Sequence, residues 1–287
     1  MSWLTSAFEP AFMQRALLAG VLAVVATSVV GTWVVIRGLT FLGDALAHGV
    51  VPGLALATLW GFSPFLGAIT AALVMGMAVS IVSRRTTLRE DTGIGLLFVG
   101  MLALGVIIVS RSDSFATDVT NLLFGEVLGV TTSDLMVQAA VAAAVVVTGA
   151  LLYRPLLALS FNPAKATTLG MRPRWTHAAL MVMLAAPIVA SFQAIGTLLV
   201  FGLLVGPPAT ASLLVKRIST AIVLSVGIGV IWVVVGLSIS FHYGTAGGAT
   251  VAALAVAGFF ATLVVVELRK AVGSRHGKRP DHIGDDR

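Results

Sequence analysis

The sequence predicts an all-α protein, a bundle of eight or nine transmembrane helices, and three observations carry that prediction. The 287 residues are 58% hydrophobic and only 10% charged, with a mean hydropathy of +1.03, where a soluble domain carries about 25% charged residues. Apolar runs of roughly the 20 residues needed to cross the hydrocarbon core follow one another along the chain. The basic residues fall in short clusters between those runs and in the tail, which is the pattern of positive-inside topology rather than of a nucleic-acid surface, despite the net charge of +6. With no cysteine in the chain, disulfides and thiolate metal sites are excluded.

Taken in order, the first span covers Phe12–Ile36, too long for the apolar region of a cleavable signal. Arg37-Gly38 ends it, and a second span covers Leu39–Trp60. The turn Gly61–Pro64 separates this from a third span, Phe65–Ser83; the polar loop Arg84–Asp91 follows, then a fourth span, Gly93–Ser110. Residues Arg111–Asp134 are mixed in polarity and too poor in apolar content to cross. The fifth span is Leu135–Tyr153, followed by a polar segment, Arg154–Trp175. His177–Val215 is long enough for two spans, with Pro187 and Gln193–Gly196 marking where a hairpin could break it. Ile218–Phe241 and Ala249–Val266 complete the set, which makes 1–268 a transmembrane domain and 269–287 a charged, disordered cytoplasmic tail. If Arg37, the 84–91 loop, the 154–175 segment, Lys216-Arg217 and the tail share one side, that side holds every Lys and Arg except Arg15 and Arg111. That side is cytoplasmic, and the N-terminus lies outside.

The second span carries the chemistry. Asp44 and His48 lie one turn apart on one helix face. A charge at the bilayer centre costs at least about 2.5–3.5 kcal/mol, and intramembrane ionisable groups are functional by default. A carboxylate and an imidazole are common ligands of a divalent metal, so this face is expected to line an ion pathway; a locally satisfied pair is the bland alternative. Beside it runs a small-residue stripe, Ala45, Gly49 and Gly53, suited to close helix contact. In the 154–175 segment, Asn162 suits an N-cap, Pro163 the first helical position and Gly170 the C-cap, which predicts a short cytoplasmic helix over Ala164–Leu169. Gly202, Gly206 and Pro207-Pro208 weaken a helix near its cytoplasmic end; Gly206 and Pro207 are candidates for a gate or hinge, or for plain packing, and Gln193 for the outer entrance. No GxxxxGK[ST] loop is present, so ATP is not bound that way, and neither HExxH nor GxSxG occurs.

The run Phe41-Leu42-Gly43-Asp44-Ala45-Leu46-Ala47-His48-Gly49-Val50-Val51-Pro52-Gly53 resembles the signature of the permease subunits of bacterial ABC importers for zinc, manganese or iron, the ABC-3 type. The similarity continues in Leu123-Phe124-Gly125, Ser160-Phe161-Asn162-Pro163, Gly196–Val200 and Pro207–Thr210. The resemblance implies a multi-pass plasma-membrane permease that works as a dimer, expected to be a homodimer, with cytoplasmic ABC ATPase subunits and an extracytoplasmic metal-binding protein. It also implies that ATP hydrolysis belongs to a partner chain. It places the metal on Asp44 and His48 as a transported ion, zinc or manganese with iron as a further candidate, with no permanently bound cofactor. The docking helix for the ATPase then comprises Asn162, Pro163, Ala164, Lys165, Ala166 and Leu169; the family's usual Asp is Asn162 here. Two expectations compete with this one. A gradient-driven secondary transporter would be favoured by inverted repeats, and no internal repeat is evident; an intramembrane enzyme would use Asp44 and His48 as its acid–base or metal centre.

Overall fold

The structure, a computed structural model, describes residues 6–85, 90–110, 129–161, 167 and 171–276. Its elements are helices: α1 (Ala11–Ile36), α2 (Thr40–Gly49), α3 (Val51–Trp60), α4 (Pro64–Arg85), α5 (Glu90–Val109), α6 (Thr132–Leu151), α7 (Tyr153–Phe161), α8 (Pro173–Ile195), α9 (Thr197–Leu214), α10 (Ile218–Tyr243) and α11 (Gly247–His276). No strand occurs among the described residues. The expected spans are helical, but the expected number is too high: among the described residues seven are long and apolar enough to cross a membrane by length and composition. The other two, Thr92–Ile108 and Leu199–Leu214, are shorter apolar helices. The charged ends of their segments and the turn at Gly196 trim the apolar stretch that each can offer.

α1 is the centre of the bundle. It packs against α6, α8, α9 and α10, and its buried face is continuous from Ala23 to Val34 apart from one partly covered position. Small residues allow the approach. A Cβ on Gly20 would meet Val233 of α10 at 2.6 Å, and one on Gly229 of α10 would meet Val24 at 2.7 Å, so α1 and α10 run antiparallel. Trp33 is fully buried near the end of α1, its ring edge-on to Tyr153 with centroids 5.4 Å apart.

Four features refine the expected outline. The second span is two helices joined at Val50: Pro52 has no N–H to offer the carbonyl of His48 one turn earlier, and its ring crowds that carbonyl. The long apolar segment turns at Gly196, whose φ of +78° and ψ of 158° suit glycine; Pro187 lies inside α8 and does not break it. α7 forms where a polar segment was expected, because Leu156 and Leu159 are buried on one side of it. The last helix also continues to His276, past the expected end of the span.

Arg37 Nη1–H donates to His177 Nδ1 at 3.4 Å, which brings the α1–α2 connection and the first turns of α8 to one end of the bundle.

Candidate functional site

α2 is covered on most of its surface. Leu42, Gly43, Ala45, Leu46, Ala47 and Gly49 are buried, and the small-residue stripe does what its composition predicts. A Cβ on Gly49 would sit 3.1 Å from Met75 Cγ of α4, and one on Gly53 of α3 would collide with the Gly67 carbonyl of the same helix. On the other side, a Cβ on Gly43 would collide with Leu204 of α9. Neighbours therefore clamp the broken helix α2–α3 from two sides, and its backbone is fixed.

One stripe escapes this cover: Phe41, Asp44, His48 and Val51, at spacings of three and four residues, are all partly open. The Asp44 and His48 side chains are each 23% exposed. His48 Nδ1 lies 3.2 Å from Asp44 Oδ1 and 3.1 Å from the Asp44 backbone carbonyl. In the tautomer with Nδ1 protonated, that N–H donates to Asp44, and Nε2 keeps the lone pair that a metal ion needs. Phe98 of α5 walls the pair. Its ring stands edge-on to His48 with centroids 5.5 Å apart and edge-on to Phe41 at 5.6 Å. The arrangement is a carboxylate and an oriented imidazole in a largely apolar recess.

The described residues of one chain contain no group of three or more His, Cys, Asp or Glu able to hold a metal ion. Phe41 and Phe98 were not singled out from sequence. Phe41 could have been, three residues before Asp44 on the same face; Phe98 sits 50 or more residues away in sequence terms and is brought in by tertiary packing alone.

Gly206 and Pro207 lie in a packing seam. A Cβ on Gly206 would meet Ala255 of α11 at 3.0 Å and Trp232 of α10 at 3.3 Å. Pro207 Cγ would be 3.3 Å from a Cβ on Gly229. α9 remains a continuous helix through both prolines. The carbonyl of Leu204, which Pro208 cannot serve as a donor, lies against Gly31 of α1. Gln193 lies in the last turn of α8, the turn before Gly196. Asn162, Pro163, Ala164, Lys165, Ala166 and Leu169 lie outside the described residues; α7 leads into that segment and α8 leaves it.

A polytopic helix bundle with a carboxylate–imidazole pair on an open helix face is the arrangement expected of a membrane permease. Residues 9–266 match the ABC 3 transport family, and the chain belongs to that family. It is 34% identical over 260 residues to the manganese transport system membrane protein MntC of Listeria monocytogenes, across 91% of this chain and 92% of the relative. It is also 34% identical over 240 residues to the manganese import system permease protein ScaB of Streptococcus gordonii, across 84% of this chain and 86% of that one. Among solved structures, a chain of PsaBC from Streptococcus pneumoniae in complex with Fab aligns with a TM-score of 0.80 and 30% identity, covering 91% of this chain and 94% of that chain. The protein is a multi-pass membrane protein of the bacterial plasma membrane and a metal-transport permease of the ABC type. Family membership sets aside the gradient-driven alternative.

Proposed function

We propose that this chain forms the translocation pathway of an ATP-driven importer of divalent transition metal, with manganese as the cargo and zinc or iron as the competing ions, and that Asp44 and His48 bind the ion in transit. The observation that carries the reading is the open Phe41–Asp44–His48–Val51 stripe on a helix otherwise buried. Manganese relatives at 34% identity support the choice of metal, as does the ligand chemistry, since carboxylate oxygen suits manganese and imidazole suits the later first-row ions. Two donors do not complete a coordination shell. A second copy presenting the same stripe supplies another carboxylate and another imidazole, and a homodimer therefore closes a four-donor site with room for water.

In this reading the remaining work belongs to partners. A separate extracytoplasmic binding protein delivers the ion. Cytoplasmic ATPase subunits hydrolyse ATP and act on the Asn162–Leu169 segment. Its neighbours α7 and α8 then carry motion into the bundle. Gly206 and Pro207 are the proposed hinge of α9 and Gln193 the proposed outer entrance. The test is uptake of radioactive manganese into cells or vesicles carrying the assembled transporter. Asp44→Ala and His48→Ala should each abolish uptake while the protein still reaches the membrane and retains its partners. Wild-type uptake by both variants would refute the site.

A further inference from the structure

A groove opens between α4 and α8 on the outer surface of the bundle. Its volume is about 170 Å³. Small residues form its floor: Ala72 and Gly76 on α4, Ala178 and Ala185 on α8. Exposed Leu73, Met77 and Val182 stand at its edges. A Cβ on Gly76 would find Met181 Cβ at 3.9 Å as its neighbour, so no close helix contact requires glycine here; the missing side chain leaves a slot. From Ala72 to Ser80 the slot extends about 12 Å along α4 by rise per residue.

The lining is apolar along its length and polar at one end, where Ser80 and His177 lie. This is the cytoplasmic end. There Arg37 donates to His177 Nδ1 at 3.4 Å. Arg174 lies in the first turn of α8, so two arginines, Arg37 and Arg174, stand at this end. Basic pockets between spans on the cytoplasmic side hold phosphate head groups, and a planar guanidinium meets a phosphate with parallel hydrogen bonds. An apolar slot that ends at such a rim fits an amphiphile with a hydrocarbon tail and an anionic head.

We propose that the α4–α8 groove binds one acyl chain of an anionic phospholipid from the inner leaflet, with the lipid phosphate at the Arg37–His177 pair. The site is distinct from the Asp44–His48 stripe and does not depend on the identity of the transported ion. It stands between α4, which packs on α3 through Gly67, and α8, which leaves the segment after α7.

The full chain, reconstituted in nanodiscs with equal amounts of phosphatidylglycerol and phosphatidylcholine, is released and weighed intact by native mass spectrometry. The wild-type chain should retain one phosphatidylglycerol in preference to phosphatidylcholine. Gly76→Leu fills the slot from α4 and Ala178→Leu fills it from α8; whichever variant melts at the wild-type temperature should lose retained lipid at least tenfold. Arg37→Gln should keep a lipid and lose the head-group preference. Equal retention by the filled variants, or equal retention of the two lipids by the wild-type chain, overturns the proposal. Because the chain has no cysteine, Met77→Cys reports on the same surface without background. Its thiol-specific cross-linking to a second copy would show a protein interface there and overturn the lipid assignment.

Discussion

Gly53→Ala is the smallest change that should disturb the packing of α3 against α4. The added methyl would collide with the Gly67 carbonyl and lie 2.6 Å from Ala71 Cβ, where ordinary contact begins at 3.4 Å. Neither obstacle is the free end of a flexible side chain, so α3 and α4 must separate by about 1 Å. A gap of that size forfeits a quarter to a half of the dispersion energy of each contact along the seam, and overpacking of this kind costs about 1–3 kcal/mol. Alanine returns up to about 1 kcal/mol of helix propensity, which leaves a net loss of up to about 2 kcal/mol. The assay is thermal unfolding of the purified chain in detergent, where a fall of up to roughly 8 °C is expected at 2–4 °C per kcal/mol. Gly100→Ala is the control, because a Cβ there meets nothing within 4 Å; it should gain the propensity and melt at or above the wild-type temperature. Adding Ala71→Gly to Gly53→Ala should restore part of the loss, since the Gly67 carbonyl remains. If Gly53→Ala and Gly100→Ala melt together, the close approach of α3 and α4 is wrong.

Other predictions follow from local geometry. Thr131→Ala removes a capping box in which Thr131 and Asp134 satisfy each other's backbone N–H groups at the start of α6; a loss of about 0.5–2 kcal/mol is expected in the same melt. The register that pairs Gly20 with Val233 and Val24 with Gly229 puts Ser28 level with Ser225. Both hydroxyls are buried without a hydrogen-bond partner, so Ser28→Ala and Ser225→Ala should be neutral or stabilising by up to about 1 kcal/mol. Asp44→Asn keeps the hydrogen bond to His48 but removes a charge, and it should weaken metal binding about 10–100-fold, measured by equilibrium binding to the reconstituted transporter.

Much of this architecture is readable from local sequence, and the limits have physical causes. The ends of α1, α4 and α10 follow from where apolar runs meet Arg, Pro or Gly, because desolvating a charge costs enough to fix a boundary within a few residues. Pro52 was visible beside His48, yet its consequence, a join at Val50, depends on the missing donor and was not drawn from hydropathy. α7 was missed for a related reason: Leu156 and Leu159 are buried by tertiary contact, while Arg154 and Ser160 make the segment read as polar. At the site, the i, i+4 spacing of Asp44 and His48 is a sequence property and the structure brings the two together. Which face of α2 stays open is not, because it depends on where α4, α5, α8 and α9 dock. The Gly206–Pro207 region read as a weak helix; the structure shows that Gly31, Ala255 and Trp232 use the missing atoms for contact.

The central place of α1 also bears on how the chain is made. α1 leaves the ribosome before the helices that complete it, α6, α8, α9 and α10, and the last of these ends at Tyr243. Until then Gly20, Val24 and Ser28 face lipid instead of their partners. Membrane insertion of the first helix and assembly around it are therefore separated by most of the time of synthesis. A stop codon anywhere before α10 should yield an inserted but unassembled chain, open along the α1 seam and exposed to quality-control proteolysis.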